Sequence, residues 1–190
     1  MMTEISFKAF VAFITGCWLI VRAAVWLRQG RIDLRREARL LLVLLCLFVV
    51  ARFTFFPFSR LNGRVQPLLF DSGRVLPFRI NPVPLIKLFD YEIFSEAVLN
   101  FVGNTAMFIP VGFIWPFVFR ELDSPAKAMA AGVLFSLCIE LLQLPFFDRV
   151  TDIDDLILNS LGYAAGCGVY FIICKNRTIR QQDGEGHGKS

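Results

Sequence analysis

Val98–Phe119 reads VLNFVGNTAMFIPVGFIWPFVF, a stretch of twenty-two residues without one charged side chain. Wound as a helix at 1.5 Å per residue, such a run covers about 33 Å, enough to cross a hydrocarbon layer of about 30 Å. Its polar groups, Asn100, Asn104 and Thr105, are few and closely spaced. Pro110 in the middle predicts a kink.

Four more runs of this kind flank it: Ile5–Leu27 and Leu40–Phe56 before it, Ala128–Phe147 and Leu156–Cys174 after it. The chain as a whole is 56% hydrophobic and 14% aromatic, against about 45–50% apolar residues in soluble domains. Mean hydropathy is +0.59. The excess lies in the runs, with most of the charge in the stretches between them, the pattern of a chain surrounded by lipid. The expected fold is an all-α membrane protein, a polytopic bundle of about five transmembrane helices. The first run exceeds the apolar core of a secretory signal and is followed rather than preceded by dense basic charge, so it reads as a retained helix.

The parts divide as residues 1–56, a two-helix membrane segment; 57–97, an irregular external segment between helices 2 and 3; 98–174, a three-helix core; and 175–190, a polar tail. Pro57, Pro67, Pro77, Pro82 and Pro84 keep the second part from forming a spanning helix. Within it, LLFDSGRVLPF alternates enough to predict a short hairpin.

Arg28, Arg31, Arg35, Arg36 and Arg39 crowd the connection between the first two runs and mark it as cytoplasmic. Extending the alternation puts the N-terminus outside and the C-terminus in the cytoplasm, with eleven basic residues inside against seven outside. The net charge of +4 is thus explained by topology, and nucleic acid is not an expected partner. Arg22 and Arg52 lie near span ends, where long side chains can snorkel to the interface. Cys17, Cys46, Cys138, Cys167 and Cys174 have no paired spacing, and the lone His187 sits in the tail. No disulfide framework, metal or cofactor is expected.

Polar groups inside a membrane are costly and ask for a partner or a purpose. Asn100 and Asn104 share a helix face, as do Glu140 and Gln143 on the fourth run and Asp155 and Asn159 on the fifth. With alternating helix directions, all three pairs fall in the same outer half of the membrane. Asp148, Arg149, Asp152 and Asp154 lie in the turn above, and Arg149 is the expected partner of Glu140. The pocket candidates are therefore Asn100, Asn104, Glu140, Gln143, Arg149, Asp152, Asp155 and Asn159. Gly162 and Gly166, four apart, suit close helix packing.

The order Asn100-F-V-G-Asn104-T-A-M-F-I-Pro110-V-Gly112, then S-L-C-I-Glu140-L-L-Gln143, then Arg149-V-T-Asp152-I-Asp154-Asp155 leading to Asn159, Gly162 and Gly166, resembles the VanZ-like family. Asn81-Pro-Val-Pro-Leu85 resembles the short element that precedes that core. The resemblance covers about Asn81 to Gly166; the first two runs agree only in character. It implies a small bacterial membrane protein of the group named for low-level resistance to the glycopeptide teicoplanin, with no established enzymatic activity.

Three functions are consistent with these residues. One is a non-enzymatic envelope protein whose outer-leaflet pocket engages membrane lipid, a cell-wall precursor or a lipoglycopeptide such as teicoplanin. Another is an enzyme acting on a lipid-linked substrate through Glu140 and the Asp cluster. The third is a small transporter, for which the absence of an internal repeat is a poor sign.

Overall fold

Local signals set most helix ends. In the computed structural model, which describes residues 2–56, 60–61, 64–71, 80–81, 94–146, 149 and 151–187, Ser6 caps α1 (Phe7–Gln29) by accepting the Ala9 N–H at 3.2 Å. Gly30 ends it in the left-handed region, φ 62°, returning its N–H to the Trp26 carbonyl. Asp33 then caps α2 (Leu34–Phe55) through the Arg35 and Arg36 N–H groups. After α3 (Phe94–Val118), Ser124 and Pro125 open α4 (Pro125–Gln143), and α5 runs Ile153–His187. Side chains at 2, 60–61, 64, 71, 94–97, 99–100 and 175–187 are outside the described set.

All five helices are long and apolar enough to cross a membrane, so the chain is a multi-pass, all-α membrane protein. Most boundaries shift by two to four residues, and two differ by more. α2 starts at Leu34 instead of Leu40, because Asp33 caps it and LRREAR contains good helix formers. Arg35, Arg36 and Arg39 therefore stand on a helix rather than in a loop. α5 likewise continues through the polar segment to His187. α3 contains Pro110 and Pro116 and is one continuous helix.

Short strands gather where α1 begins and α2 ends. β1 (Met2–Ile5) pairs antiparallel with β4 (Leu68–Asp71), and β2 (Arg60–Leu61) pairs with β3 (Arg64–Val65). β5 (Ile80–Asn81) pairs in parallel with β6 (Thr151–Asp152). Within the stretch LLFDSGRVLPF expected to form a hairpin, LLFD is a strand and pairs with Met2–Ile5. Its remaining residues lie outside the described set; among the described residues, β2 and β3 form a hairpin.

The tightest helix contact is α3 on α5. A Cβ at Gly162 would collide with the main chain of Thr105, and one at Gly166 with the main chain of Ile109 and Phe113. Gly112 on α3 answers with equally close approach to the main chain of Tyr163. Where lipid is as apolar as leucine, such close approach supplies the van der Waals contact that holds helices together. Tyr163 is fully buried, its ring lying on Gly132 of α4. Phe108, Val111, Ile139 and Cys167 surround this contact, and Val50, Phe55, Phe56 and Leu68 extend the core toward α2 and β4.

α1 is held differently. Only 6% of its apolar window is buried, against 44% for α2. At its start Phe7 and Phe10 pack on Phe56, ring centroids 5.1 and 5.5 Å away. Near its other end the Arg22 guanidinium donates two hydrogen bonds to the Glu37 carboxylate. Arg22 is buried, so it pairs rather than snorkels. The early start of α2 is what brings Glu37 within its reach.

Gly166→Val should lower the melting temperature of the purified protein sharply or prevent folding, since the obstructing atoms are backbone. Gly168→Val, which meets nothing within 4 Å, should leave it nearly unchanged; equal melting of the two would contradict the packing. Glu37→Ala should cost about 2 kcal/mol in unfolding measured in mixed micelles. The joint Arg22→Leu, Glu37→Leu variant should recover most of it.

Candidate functional site

Alternating helix directions bring the end of α2, the start of α3, the end of α4 and the start of α5 to one end of the bundle, beside β5 and β6. The α4 carboxylate sits at the centre. Glu140 is 2% exposed, and its Oε2 accepts the Asp152 N–H at 3.1 Å. Its own carbonyl accepts the Thr151 hydroxyl at 3.0 Å, so β6 is tied to the last turn of α4 twice. Asp152 and Asp155 both lie within electrostatic range of the Glu140 carboxylate.

Asp152 opens α5. Its Oδ1 accepts the Asp154 N–H at 3.1 Å, the arrangement of a helix N-cap, and its Oδ2 accepts Nδ2 of Asn81 at 3.3 Å. Carboxylates at the start of α5 also face the positive end of the helix dipole. Across the bundle, Asn104 on α3 donates from Nδ2 to Asp155 Oδ1 at 2.5 Å. Asn81, Asp152, Glu140, Asp155 and Asn104 therefore form a polar layer spanning five elements.

A second layer lies one helical turn deeper, about 6 Å along the axis. Asn159 donates from Nδ2 to the Ser136 hydroxyl at 3.0 Å, and both residues are fully enclosed between α4 and α5. Among the described residues, the Asn159 Oδ1 has no hydrogen-bond donor. Tyr163 closes this layer from below, one turn further along α5.

Two expected members turn toward α2. An α-helix leaves its last carbonyls without intrahelical donors. Gln143 Nε2 donates to the Thr54 carbonyl at 2.7 Å and Arg149 Nε to the Phe55 carbonyl at 3.0 Å. Arg52 Nη1 reaches the Phe56 carbonyl at 3.1 Å. These three side chains finish α2, and a cation there also meets the negative end of its dipole. Arg149 is therefore not the ion-pair partner of Glu140 that the sequence suggested: Glu140 is satisfied from β6, while Arg149 is directed to α2.

Asn104, Glu140, Asp152, Asp155 and Asn159 are brought together, and Gln143 and Arg149 border them. Asn100 lies on α3, its side chain outside the described set, as is Asp148. The sequence reading missed Ser136, Thr151, Asn81 as a ligand of Asp152, and the pair Gly132 and Gly112. Ser136 and Gly132 continue the spacing of four back from Glu140 and were open to detection. The partners of Asn81 and Thr151 depend on strand pairing that no local pattern announces. Among the described residues, no three His, Cys, Asp or Glu side chains are arranged to hold a metal ion.

Residues 40–174, well over half of the chain, match the family model described as VanZ/LLP1. The match includes α2, whose final carbonyls Gln143 and Arg149 complete, and so reaches further toward the N-terminus than the motifs from Asn81 onward. No curated protein and no solved structure matches the chain.

A double-mutant cycle on Asn104→Ala and Asp155→Ala should show coupling of about 1 kcal/mol in unfolding from lipid bicelles. Strict additivity of the two losses would mean that the α3–α5 hydrogen bond contributes nothing.

Proposed function

Because the chain belongs to the VanZ/LLP1 family and gathers Asn104, Glu140, Asp152 and Asp155 at one end of its bundle, we propose a binding role without catalysis. It acts in the bacterial envelope, engaging a lipid head group, a cell-wall precursor or a lipoglycopeptide such as teicoplanin. Engagement of either of the last two would lower susceptibility to that drug class.

The environment of Glu140 carries this reading. A deeply buried carboxylate receives one backbone N–H and lies within range of two further carboxylates. Such an acceptor-rich layer favours a group that brings donors, an ammonium or a set of sugar hydroxyls, and charge-assisted hydrogen bonds are the strong ones. Wall precursors and glycopeptides carry both kinds of donor. The N-terminus-outside orientation, suggested by the arginines between α1 and α2, turns this layer toward the outer leaflet where those molecules are met. Membrane position favours ionisable groups with a function over ones that only pack.

Glu140→Gln and Asp155→Asn, expressed at levels matched to the parent, should each restore teicoplanin susceptibility in a host made less sensitive by the parent chain. Both should also change binding of labelled teicoplanin to whole cells, downward if the pocket holds the drug itself and upward if it holds the wall precursor. Unchanged susceptibility and unchanged binding in both variants would sink the proposal.

A further inference from the structure

The opposite end of the bundle carries a site of reversed charge, independent of the reading above. Where α2 starts and α3 ends, a cavity of about 310 Å³ opens between the two connections at that end. Arg36, Arg39 and Arg120 line its polar side; Leu40, Val118 and Phe119 line its apolar side. A second cavity of about 410 Å³ adjoins it, sharing Asp33 and Arg36 and adding Gln29 and Arg31.

Charge in these cavities is unbalanced. Four guanidinium groups, from Arg31, Arg36, Arg39 and Arg120, face two carboxylates, Asp33 and Glu121. Asp33 is already engaged, accepting the Arg35 and Arg36 N–H groups as the cap of α2. The neighbouring Glu37 is held by Arg22. Among the described residues, the guanidiniums of Arg31, Arg36 and Arg120 make no hydrogen bond or ion pair, and Arg39 gives only its Nε, to the Arg35 carbonyl at 3.3 Å. Arginine forks with free donors suit the oxygens of a phosphate better than any other common anion.

We propose that this groove binds the phosphate of an anionic phospholipid, with Arg36, Arg39 and Arg120 on the head group and Leu40, Val118 and Phe119 against the start of its acyl chains. The apolar wall is what favours a lipid over a free phosphate, because it lies at the end of two membrane-spanning helices, at the level where head group gives way to hydrocarbon. Juxtamembrane basic clusters attract anionic lipid in general; here the basic groups also line a cavity. Arg36 and Arg39 precede the residues that match the family, whereas Leu40, Val118, Phe119 and Arg120 lie within them, so the site straddles the edge of the shared region.

The full-length protein, purified in neutral detergent, would be titrated with short-chain phosphatidylglycerol and short-chain phosphatidylcholine, with native mass spectrometry as readout. The glycerol lipid should bind more tightly, and the double variant Arg36→Gln, Arg120→Gln should weaken it about 25-fold, some fivefold per arginine. Arg36→Lys with Arg120→Lys should fall between the parent and the glutamine variant, keeping the charge but losing the fork, which separates electrostatics from folding damage. Lys127→Gln, a cation on the same face that pairs with Asp123 at 2.8 Å outside the cavity, should change it little. Equal binding of the two lipids, or equal weakening by Lys127→Gln, would overturn the proposal. Displacement of the lipid by millimolar inorganic phosphate would overturn the lipid assignment and leave a free-phosphate site.

Discussion

Lipid gives helices no hydrophobic reason to leave it, so a membrane bundle must be held by contacts that lipid cannot match. In this chain that contact is the main chain of α5 against the main chain of α3. Gly162 and Gly166 remove side chains from one surface, and Gly112 removes one from the other. Closeness there fixes the rotation of α5 about its own axis. With the rotation fixed, Asp155 points at Asn104, Asn159 at Ser136, and Tyr163 at the hollow left by Gly132. The polar layers are a consequence of the glycine contact and not a separate device.

The polar groups in turn complete the ends of the helices that carry them. Asp152 caps α5, Glu140 anchors the strand holding Asp152, and Asn81 ties a second strand to it. Gln143, Arg149 and Arg52 satisfy α2. Most of these bonds would be needed in any bundle whose helix ends lie close to hydrocarbon, where a lone carbonyl is expensive. What structure alone does not require is a buried glutamate between two other carboxylates. Glutamine at 140 could accept the Asp152 N–H equally well without the charge. The presence of an acid there is therefore the part of the cluster that points beyond packing.

How much of this was legible follows from the range of each interaction. Five helices could be counted from the sequence because apolar length is a local property, and the polar pairs three or four apart named one face of α3, α4 and α5. The glycine step on α5 was visible for the same reason. Helix ends were less so: α2 starts six residues before its apolar run, since Arg35, Arg36 and Arg39 are as helix-competent as leucine. Partners across the bundle were least legible. Pairing Arg149 with Glu140 seemed natural from nearness in sequence, but the open carbonyl of Phe55, ninety-four residues away, is its acceptor. Likewise nothing in Leu68–Asp71 announced its pairing with Met2–Ile5, more than sixty residues away. A strand records its own alternation and nothing about its partner.

The early start of α2 also links the two ends of the molecule. It lifts Glu37 into range of the buried Arg22, which fastens an α1 that otherwise touches little of the bundle. It also places Arg36 and Arg39 on a fixed helical turn beside Arg120, where a flexible loop would have scattered them. The arginines on which the sequence-based orientation rests are thus also arranged by their geometry. A buried acidic layer at one end of the bundle and an arginine-lined cavity at the other give its two ends opposite local chemistry. The proposed lipid site and the expected cytoplasmic charge excess thus draw on the same side chains, so a change at Arg36 or Arg39 would act on both.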